Sequence, residues 1–336
     1  MFQTKDIALV ILNWNGKALL EQFLPSVIKH SESAVIYVAD NASTDGSVAF
    51  ISEHFPSVKH IKNTENGGYA KGYNDALKHV KEPLLCLLNN DIEVTKNWLQ
   101  PILTAFNADT ETAIIQPKIL DYKKPSHFEY AGAAGGFIDK YGYPYCRGRI
   151  FETTEKDLGQ YNATCQIFWA SGACFFIRNS VFNTLSGFDE SFFAHMEEID
   201  LCWRAFNTNH KIVYVGTSVV YHVGGATLST TNPKKTYLNF RNSLFTLVKN
   251  TDSNVFFRTV IRMKLDGVAA LRFLLQLKPH YFLAILKAHF SFYINLKRVL
   301  KQRKQLPKRT NYYKTNSIIW LYFIKKKKHY ADLRKQ

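Results

Sequence analysis

Cysteine, long apolar runs and C-terminal acidic residues are all scarce in this sequence. Its five cysteines form no CxxC pair, which argues against a disulfide framework or a zinc site and is typical of a reducing compartment. The most apolar late stretch, residues 268–296, is interrupted by Arg272, Lys278 and Lys287. It therefore lacks the roughly 20 clean apolar residues of a membrane-spanning helix, and we predict that the chain does not cross a bilayer.

The formal net charge of +16 originates in the C-terminal third of the 336 residues. Residues 231–336 contain 24 Lys and Arg but only 3 Asp and Glu, whereas residues 1–230 contain 19 and 24. Such a basic block is typical of a segment that binds a polyanion, either a membrane surface or nucleic acid. The composition, 46% apolar and 21% charged, is that of a globular protein and excludes a disordered chain.

Short apolar runs alternate with helical patterns over the first ninety residues. Strands are predicted at 7–12, 35–39, 58–62 and 84–88, with helices at 17–30, 47–55 and 69–80. This alternation predicts an α/β protein with a mostly parallel sheet flanked by helices. Farther along we predict strands at 166–177 and 212–220, a helix at 197–206, and basic helices at 237–248, 255–277, 281–301 and 317–325.

Polar, turn-forming residues follow every early strand, where parallel sheets bind their ligands. The candidates for a nucleotide-diphosphate site at these strand ends are Asn13, Asp40, Asn41, Ser43, Asn66, Gly67, Gly68, Lys71 and Asn89. Asp40 can accept the N3–H of a pyrimidine base; alternatively, Asp40 or Ser43 only caps the next helix. Gly67 and Gly68 precede a helix and allow close approach of phosphate, although glycine pairs also occur in simple turns.

Two further positions carry metal or proton-transfer chemistry. Asp91 follows the fourth strand and could hold Mg²⁺ or Mn²⁺ together with a diphosphate, or it could simply form a turn. In the run Glu197-Glu198-Ile199-Asp200, one carboxylate could accept a proton while Asp200 pairs with Arg204 four residues on. The alternative is a solvated acidic helix start.

Taken together, these motifs resemble the inverting glycosyltransferases of family 2, which have the GT-A fold. The resemblance runs in order through LNWNG (12–16), VADNASTDGS, ENGGYAKGYNDAL, LLNNDIEV, ASGACFFIR (170–178), GFDESFFAHMEEIDLCWR, VVYHVGG (219–225) and YLNFRNSLF (237–245). It covers about residues 6–245 and is greatest for the rhamnosyltransferase-like subgroup that builds bacterial surface polysaccharides.

The resemblance implies a role for each matched residue. Asp40 matches the acid that reads the base, Asp91 the last acid of the metal-binding DxD-type motif, and His222 a histidine that can complete the metal site. Glu198 stands where the family commonly has the aspartate that acts as base, with Glu197 and Asp200 as the alternatives. Asn89 occupies the position of the first DxD acid, so fewer protein charges would bind the metal.

The resemblance also implies an activity and a location. We expect transfer of a sugar, with inversion, from dTDP-rhamnose or a UDP-sugar to a glycan or lipid-linked acceptor, with Mg²⁺ or Mn²⁺ as cofactor. Residues 1–235 would form the catalytic domain, and the basic helical region 236–336 would hold the protein on the inner face of the cell membrane. That region's basic residues flank aromatic runs such as 318–323, which suits an anionic leaflet; alternatively, its helices only pack on the domain.

The same residues also allow a second class of function. The chain could be a noncatalytic nucleotide-sugar or polyanion-binding protein that works through its basic tail. The presence of Asp40, Asp91 and the 197–200 carboxylates in one chain argues against this. We expect no nucleic-acid partner, because the sequence has none of the RNP, KH or zinc-knuckle signatures.

Overall fold

The computed structural model describes residues 1–224 and 232–333. Gly225, the last residue of the motif at 219–225, lies outside the described residues, as do residues 334–336. The strands are β1 (Ile7–Asn13), β2 (Val35–Asp40), β3 (Lys59–Lys62), β4 (Leu84–Asn89), β5 (Ile92–Val94), β6 (Thr112–Asp121), β7 (Gly136–Ile138), β8 (Pro144–Cys146), β9 (Arg149–Ile150), β10 (Thr153–Thr154), β11 (Cys165–Ile167), β12 (Cys174–Arg178) and β13 (Lys211–His222).

Helices cover both faces of the sheet and form most of the C-terminal third. They are α1 (Lys17–His30), α2 (Ser47–His54), α3 (Gly68–Leu77), α4 (Leu99–Ala108), α5 (Asn179–Thr184), α6 (Glu197–Asn207), α7 (Pro233–Asn250), α8 (Val255–Leu275), α9 (Pro279–Gln305) and α10 (Tyr330–Leu333). Single 3₁₀ turns lie at Thr4–Asp6 and Glu190–Phe192, and a π-helical turn lies at Trp320–Ile324, inside the predicted helix 317–325.

A nine-stranded sheet in the order β11-β13-β6-β12-β4-β1-β2-β3, with β5 beside β13, confirms the α/β prediction. Strands β1 to β4 are parallel to one another where they pair, as are β6 and β13, while β12 runs antiparallel between β4 and β6. The carboxyl ends of β1 to β4 therefore meet along one edge. A second, antiparallel sheet of β7 to β10 lies in the region 136–154.

The strand predicted at 166–177 is wrong as a single element. The structure has two strands there, and the residues between β11 and β12 leave the sheet. The backbone N–H of Ser171 donates to the side-chain oxygen of Gln116 in β6 at 2.8 Å, and not to a backbone carbonyl as in a β-ladder. Hydropathy alone joins the two strands, because the small residues at 170–173 are apolar or neutral.

Strand β6 was not predicted, and it contains Pro117. Its pairing with β13 shifts register there, from Val215 opposite Pro117 to Val219 opposite Lys118. Proline has no N–H to donate to the ladder, so a strand containing it tolerates a bulge in its partner. The same proline weakens the sequence signal for a strand.

Alternation along the central strands creates two cores. In β1, Ala8 and Val10 face one core, while Ile7, Leu9 and Ile11 face the other. Such strands, buried on both sides, read as continuous apolar runs. The rigid double-sided sheet fixes the strand ends that carry the candidate site.

The basic C-terminal region contacts the rest of the chain along its length. Tyr312 packs against Trp203 of α6 with ring centroids 4.5 Å apart, and Tyr322 Oη lies 2.8 Å from Thr153 Oγ1. Phe292 of α9 and Ile318 are buried in the same core as the central sheet. Removing this region would therefore expose core residues of the sheet domain.

Candidate active site

The carboxylate that ends β2 is held by residues from the neighbouring strand ends. Asp40 Oδ1 accepts from Asn13 Nδ2 at 3.2 Å, and Asp40 Oδ2 accepts from the Ser43 backbone N–H at 2.9 Å. Asn13 Oδ1 in turn accepts from Asn90 Nδ2 at 2.9 Å. Because Asn13 is fully buried, it orients Asp40 and Asn90 from beneath. The ends of β1, β2 and β4 are thus joined by polar side chains.

The alternative interpretation, in which Asp40 or Ser43 caps the next helix, is wrong. Helix α2 begins at Ser47, and Asp45 Oδ1 accepts the Ser47 backbone N–H at 3.0 Å. Asp45, not Asp40, therefore satisfies the start of α2. Asp40 belongs to the strand-end network.

Asn41 connects this network to the start of α3. Its Nδ2 donates to the Gly68 carbonyl at 2.9 Å, and its Oδ1 accepts from Asn63 Nδ2 at 2.7 Å. Asn66 Oδ1 accepts the Gly68 backbone N–H at 3.0 Å. The predicted residues at 40–43 and 66–68 therefore lie side by side.

The two glycines are needed for a reason that the sequence did not reveal. Gly68 has φ +75°, and a Cβ there would lie 2.4 Å from the Phe193 carbonyl oxygen. A Cβ on Gly67 would lie 2.8 Å from the Lys71 side chain. The chain itself therefore fills the space beside these glycines. Lys71 pairs with Glu65 at 3.5 Å and with Asp75.

Asp91 and His222 are brought together from the ends of β4 and β13. His222 Nε2 lies 3.1 Å from Asp91 Oδ1 and 3.4 Å from Asn89 Nδ2, and its Nδ1 lies 3.4 Å from Glu129 Oε1. Burial lowers the pKa of His222, but hydrogen bonding and charge from Asp91 and Glu129 outweigh burial and raise it to about 10.

This arrangement fits a divalent cation shared with a substrate. Within the described ranges, no group of three or more His, Cys, Asp or Glu side chains is arranged to hold a metal ion by itself. Glu129 cannot join Asp91 on one ion, because the two carboxylates face opposite nitrogens of the His222 ring. His222 must first lose the proton that its raised pKa retains, because an imidazolium has no lone pair for a metal. Asp91 and His222 would then supply one oxygen and one nitrogen, which suits Mn²⁺ or Mg²⁺ completed by diphosphate oxygens.

Glu197 and Glu198 form the first turn of α6, and neither Oε2 has a hydrogen-bond partner. Glu197 is buried, while Glu198 is partly accessible. Burial and the neighbouring Glu198 charge raise the pKa of Glu197 well above its usual range, and burial raises the pKa of Glu198 to about 7. A carboxylate with a pKa near the working pH is suited to general-base chemistry.

The segment between β11 and β12 joins Glu198 to the strand-end network. A Cβ on Gly172 would lie 3.8 Å from the Glu198 Cβ, and the Gly172 carbonyl accepts from Tyr69 Oη at 2.7 Å. The next carbonyl, of Ala173, accepts the Asn89 backbone N–H at 2.9 Å. Glu198 and Asn89 therefore lie against the same short segment, Gly172 and Ala173.

Asp200, the third carboxylate of the run, is separated from this edge by its own partners. It is fully buried and accepts from Arg204 Nε at 2.9 Å, which confirms the predicted i,i+4 pair. It also accepts from Lys249 Nζ at 3.0 Å and Asn250 Nδ2 at 2.8 Å, both in α7. These contacts give Asp200 a structural task between α6 and α7.

Three residues of this site were not among the residues predicted from the sequence. Glu129 lies in the connection after the unpredicted strand β6, so no strand end marked it. Asn90 entered the prediction only as part of its motif. Tyr69 entered only as the start of a helix, although the Tyr69 hydroxyl links α3 to Gly172. Of the three, only Asn90 could have been identified from the sequence, because it belongs to the polar residues that follow β4.

The comparisons with known proteins agree with the fold. The family model "Glycosyl transferase family 2" matches residues 8–186, and the chain belongs to that family. The fold is that of the GT-A glycosyltransferases, and the protein is a glycosyltransferase.

Two curated relatives extend beyond the family model. The chain is 25% identical over 238 residues to the N-acetylglucosaminyl-diphospho-decaprenol L-rhamnosyltransferase of Mycobacterium tuberculosis, covering 65% of this chain and 76% of that protein. It is 24% identical over 291 residues to the low-salt glycan biosynthesis hexosyltransferase Agl10 of Haloferax volcanii, covering 82% and 87%. Both are sugar transferases, in line with the family.

A solved structure shows the same fold in a larger chain. The structure of GalNAc-T7 with UDP, GalNAc and Mn²⁺ superposes with a TM-score of 0.58 at 16% identity, covering 95% of this chain. This chain spans only 56% of that protein. At that identity the likeness concerns the fold.

Proposed function

We propose that the protein transfers a sugar, with inversion, from dTDP-rhamnose or a UDP-sugar to a glycan or lipid-linked acceptor in bacterial surface polysaccharide synthesis. The observation that carries the proposal is the half-buried Glu198, whose Oε2 has no hydrogen-bond partner and whose Cβ lies beside the Gly172–Ala173 segment that accepts from Asn89. The lipid diphosphate named in the mycobacterial relative supports an acceptor of that kind.

On the donor side, the strand-end network binds the nucleotide. Asp40 accepts the N3–H of uracil or thymine, which present the same edge, so Asp40 admits both bases. Asn41, Ser43 and the backbone near Gly67 surround the ribose and diphosphate. Asp91 and His222 would hold Mg²⁺ or Mn²⁺, which when bound neutralises charge on the departing diphosphate.

On the acceptor side, Glu198 acts as general base. Its carboxylate takes the proton of the acceptor hydroxyl while that oxygen bonds to the anomeric carbon of the donor. The bond from that carbon to the diphosphate oxygen breaks on the opposite face, and its electron pair leaves with the nucleoside diphosphate. The new glycosidic bond therefore has inverted configuration. Asp200 keeps its charge paired and does not take this proton.

A panel of UDP-, dTDP- and GDP-sugars tests the donor assignment. We expect the uracil and thymine nucleotides to bind, and omission of Mn²⁺ to weaken that binding. The Asp40→Ala variant leaves the base N3–H unpaired and should lose about 1–3 kcal/mol of nucleotide binding by calorimetry. Asp45→Ala, in the same loop, is the matched control and should bind normally. Unchanged affinity of Asp40→Ala for both UDP and dTDP contradicts the assignment.

We further propose that the α8–α9 hairpin seats the protein on an anionic membrane surface. No described helix is long and apolar enough to cross a membrane. Yet the hairpin exposes apolar side chains on both helices, with Leu275 85% and Leu277 89% exposed at the turn. Lys278 and the adjacent helices supply basic residues, each worth roughly 1 kcal/mol near an anionic surface. Apolar and basic side chains together suit a leaflet interface better than bulk water.

Vesicle sedimentation tests the surface with point variants that keep the tail's core contacts. We expect the protein to sediment with anionic vesicles at low salt and to be released as salt rises. The double variant Leu275→Ser and Leu277→Ser should lose this binding, whereas Leu158→Ser, which is 77% exposed elsewhere, should keep it. Equal sedimentation with zwitterionic vesicles, or none with anionic ones, contradicts the electrostatic anchor.

A further inference from the structure

The loop that leads into α6 is held in an unfavourable backbone conformation. Phe193, His195 and Met196 have positive φ values of 63°, 69° and 74°, which residues other than glycine rarely adopt. For residues other than glycine such a conformation is unfavourable and persists only where the surroundings impose it. Met196 is the residue before α6, so this loop sets the direction in which Glu197 and Glu198 leave the turn.

The surroundings that impose this conformation come from α7. The Asn242 side chain is fully buried, and its Nδ2 lies 3.1, 3.0 and 2.8 Å from the carbonyl oxygens of Phe192, Ala194 and His195. Three backbone carbonyls within four residues of the loop thus share the two N–H groups of a single amide. Few side chains other than asparagine are short enough and carry the two N–H groups that this requires.

The amide of Asn242 is itself oriented by its neighbour. Arg241 Nε donates to Asn242 Oδ1 at 2.9 Å, which directs Nδ2 toward the loop. Arg241 Nη2 also donates to the Ser191 carbonyl at 2.9 Å. Arg241 and Asn242 together therefore hydrogen-bond to the loop from Ser191 to His195.

The same loop touches the donor side of the site. The Phe193 carbonyl accepts the backbone N–H groups of Tyr69 at 2.8 Å and Ala70 at 3.4 Å. It is also the atom that leaves no room for a side chain at Gly68. A shift of the loop would therefore move the first turn of α3 and the first turn of α6 together.

We infer that Asn242, in the first helix of the C-terminal region, is a positioning residue that aims the Glu197–Glu198 turn at the donor site. This inference rests on the proposed role of Glu198 as base. Helix α7 would then contribute to catalysis by positioning this turn, independently of any membrane contact. An asparagine that served only the packing of α7 would not need to meet three carbonyls of this loop.

Asn207, the last residue of α6, provides a matched control. It is also buried, its Nδ2 donates to the Asn250 carbonyl at 3.0 Å, and its Oδ1 accepts the Arg309 backbone N–H at 3.1 Å. Asn207→Ala therefore removes a buried amide of similar kind without touching the loop. Comparing it with Asn242→Ala separates positioning from general loss of packing.

The experiment measures turnover and hydrogen exchange on the full chain. With the nucleotide sugar identified by the donor panel, Asn242→Ala should lower kcat on the order of 100-fold, because a small misplacement of a reacting group has that effect. The affinity for UDP should fall far less than kcat, because the loop contacts the first turn of α3 and leaves the partners of Asp40 in place. Amide exchange should accelerate in peptides covering 66–73 and 190–201, and not across the sheet. Asn207→Ala should show neither change.

A second variant keeps the test decisive if Asn242→Ala fails to fold. Arg241→Ala removes the group that orients the amide and should give the same changes at smaller size. Exchange and kcat equal to those of Asn207→Ala in both loop variants overturn the inference. The exchange readout needs no turnover, so it is independent of the proposed function. If Glu198→Gln keeps normal turnover, the proposed base fails, whatever the loop variants show.

Discussion

Glu198→Gln is expected to lower turnover by about 10²–10⁴-fold while leaving nucleotide binding intact. The amide is nearly isosteric with the carboxylate but cannot take a proton at neutral pH. The strand-end residues that bind the nucleotide are unchanged, so calorimetry with UDP or dTDP should report the affinity of the original protein. Glu190→Gln, an exposed glutamate on the preceding turn, is the control and should turn over normally.

The pH profile of turnover distinguishes this base from its neighbours. Burial raises the pKa of Glu198 to about 7, and only the deprotonated form can act as base. Turnover should therefore fall as the pH drops through about 7, and the residual rate of Glu198→Gln should lack this limb. A variant that keeps near-normal turnover and the same limb would assign the base to another group.

Asp200→Asn is expected to lower the free energy of unfolding by about 3–5 kcal/mol, because it leaves the buried Arg204 without a carboxylate partner, while Lys249 keeps its ion pair with Asp189. Asp200 is fully buried between Arg204 of α6 and Lys249 of α7. Urea denaturation followed by far-UV circular dichroism measures the change. The control is Asp109→Asn, which breaks the surface pair with Lys211 and should cost about 1 kcal/mol or less.

The same variant separates a structural carboxylate from a catalytic one. If Asp200 serves only α6 and α7, the folded fraction of Asp200→Asn at low temperature should retain turnover per folded molecule. A variant that is as stable as the original protein yet inactive would make Asp200 the base. Glu198 would then be the residue misassigned from its motif position.

The early strand ends were predictable because local chemistry and topology agree there. A buried parallel strand needs a continuous apolar run, and the polar residues that follow it mark its carboxyl end. Asp40 and Asp91 could therefore be placed at one sheet edge without coordinates. The i,i+4 pair of Asp200 and Arg204 was also accessible, since helical spacing alone brings them together.

Other parts of the site depended on contacts between distant segments. Glu129 reaches His222 only because β6 and β13 pair. The sequence did not predict β6, because Pro117 interrupts its strand pattern. Gly68 could be given a phosphate role from sequence, but its Cβ would meet the carbonyl of Phe193, which lies more than a hundred residues away. No local pattern records which distant atom occupies a space.

The family, the sheet edge and the residues that can carry the chemistry were predictable from the sequence, because strand ends, helix spacing and ordered motifs are local properties of the chain. The packing of distant elements sets the role of each residue. It buried Asp200 between two cations of α6 and α7, left Glu198 partly accessible beside Gly172, and brought Asn242 of the basic region against the loop before α6. These distinctions arise from burial and long-range hydrogen bonds, which depend on how distant elements pack.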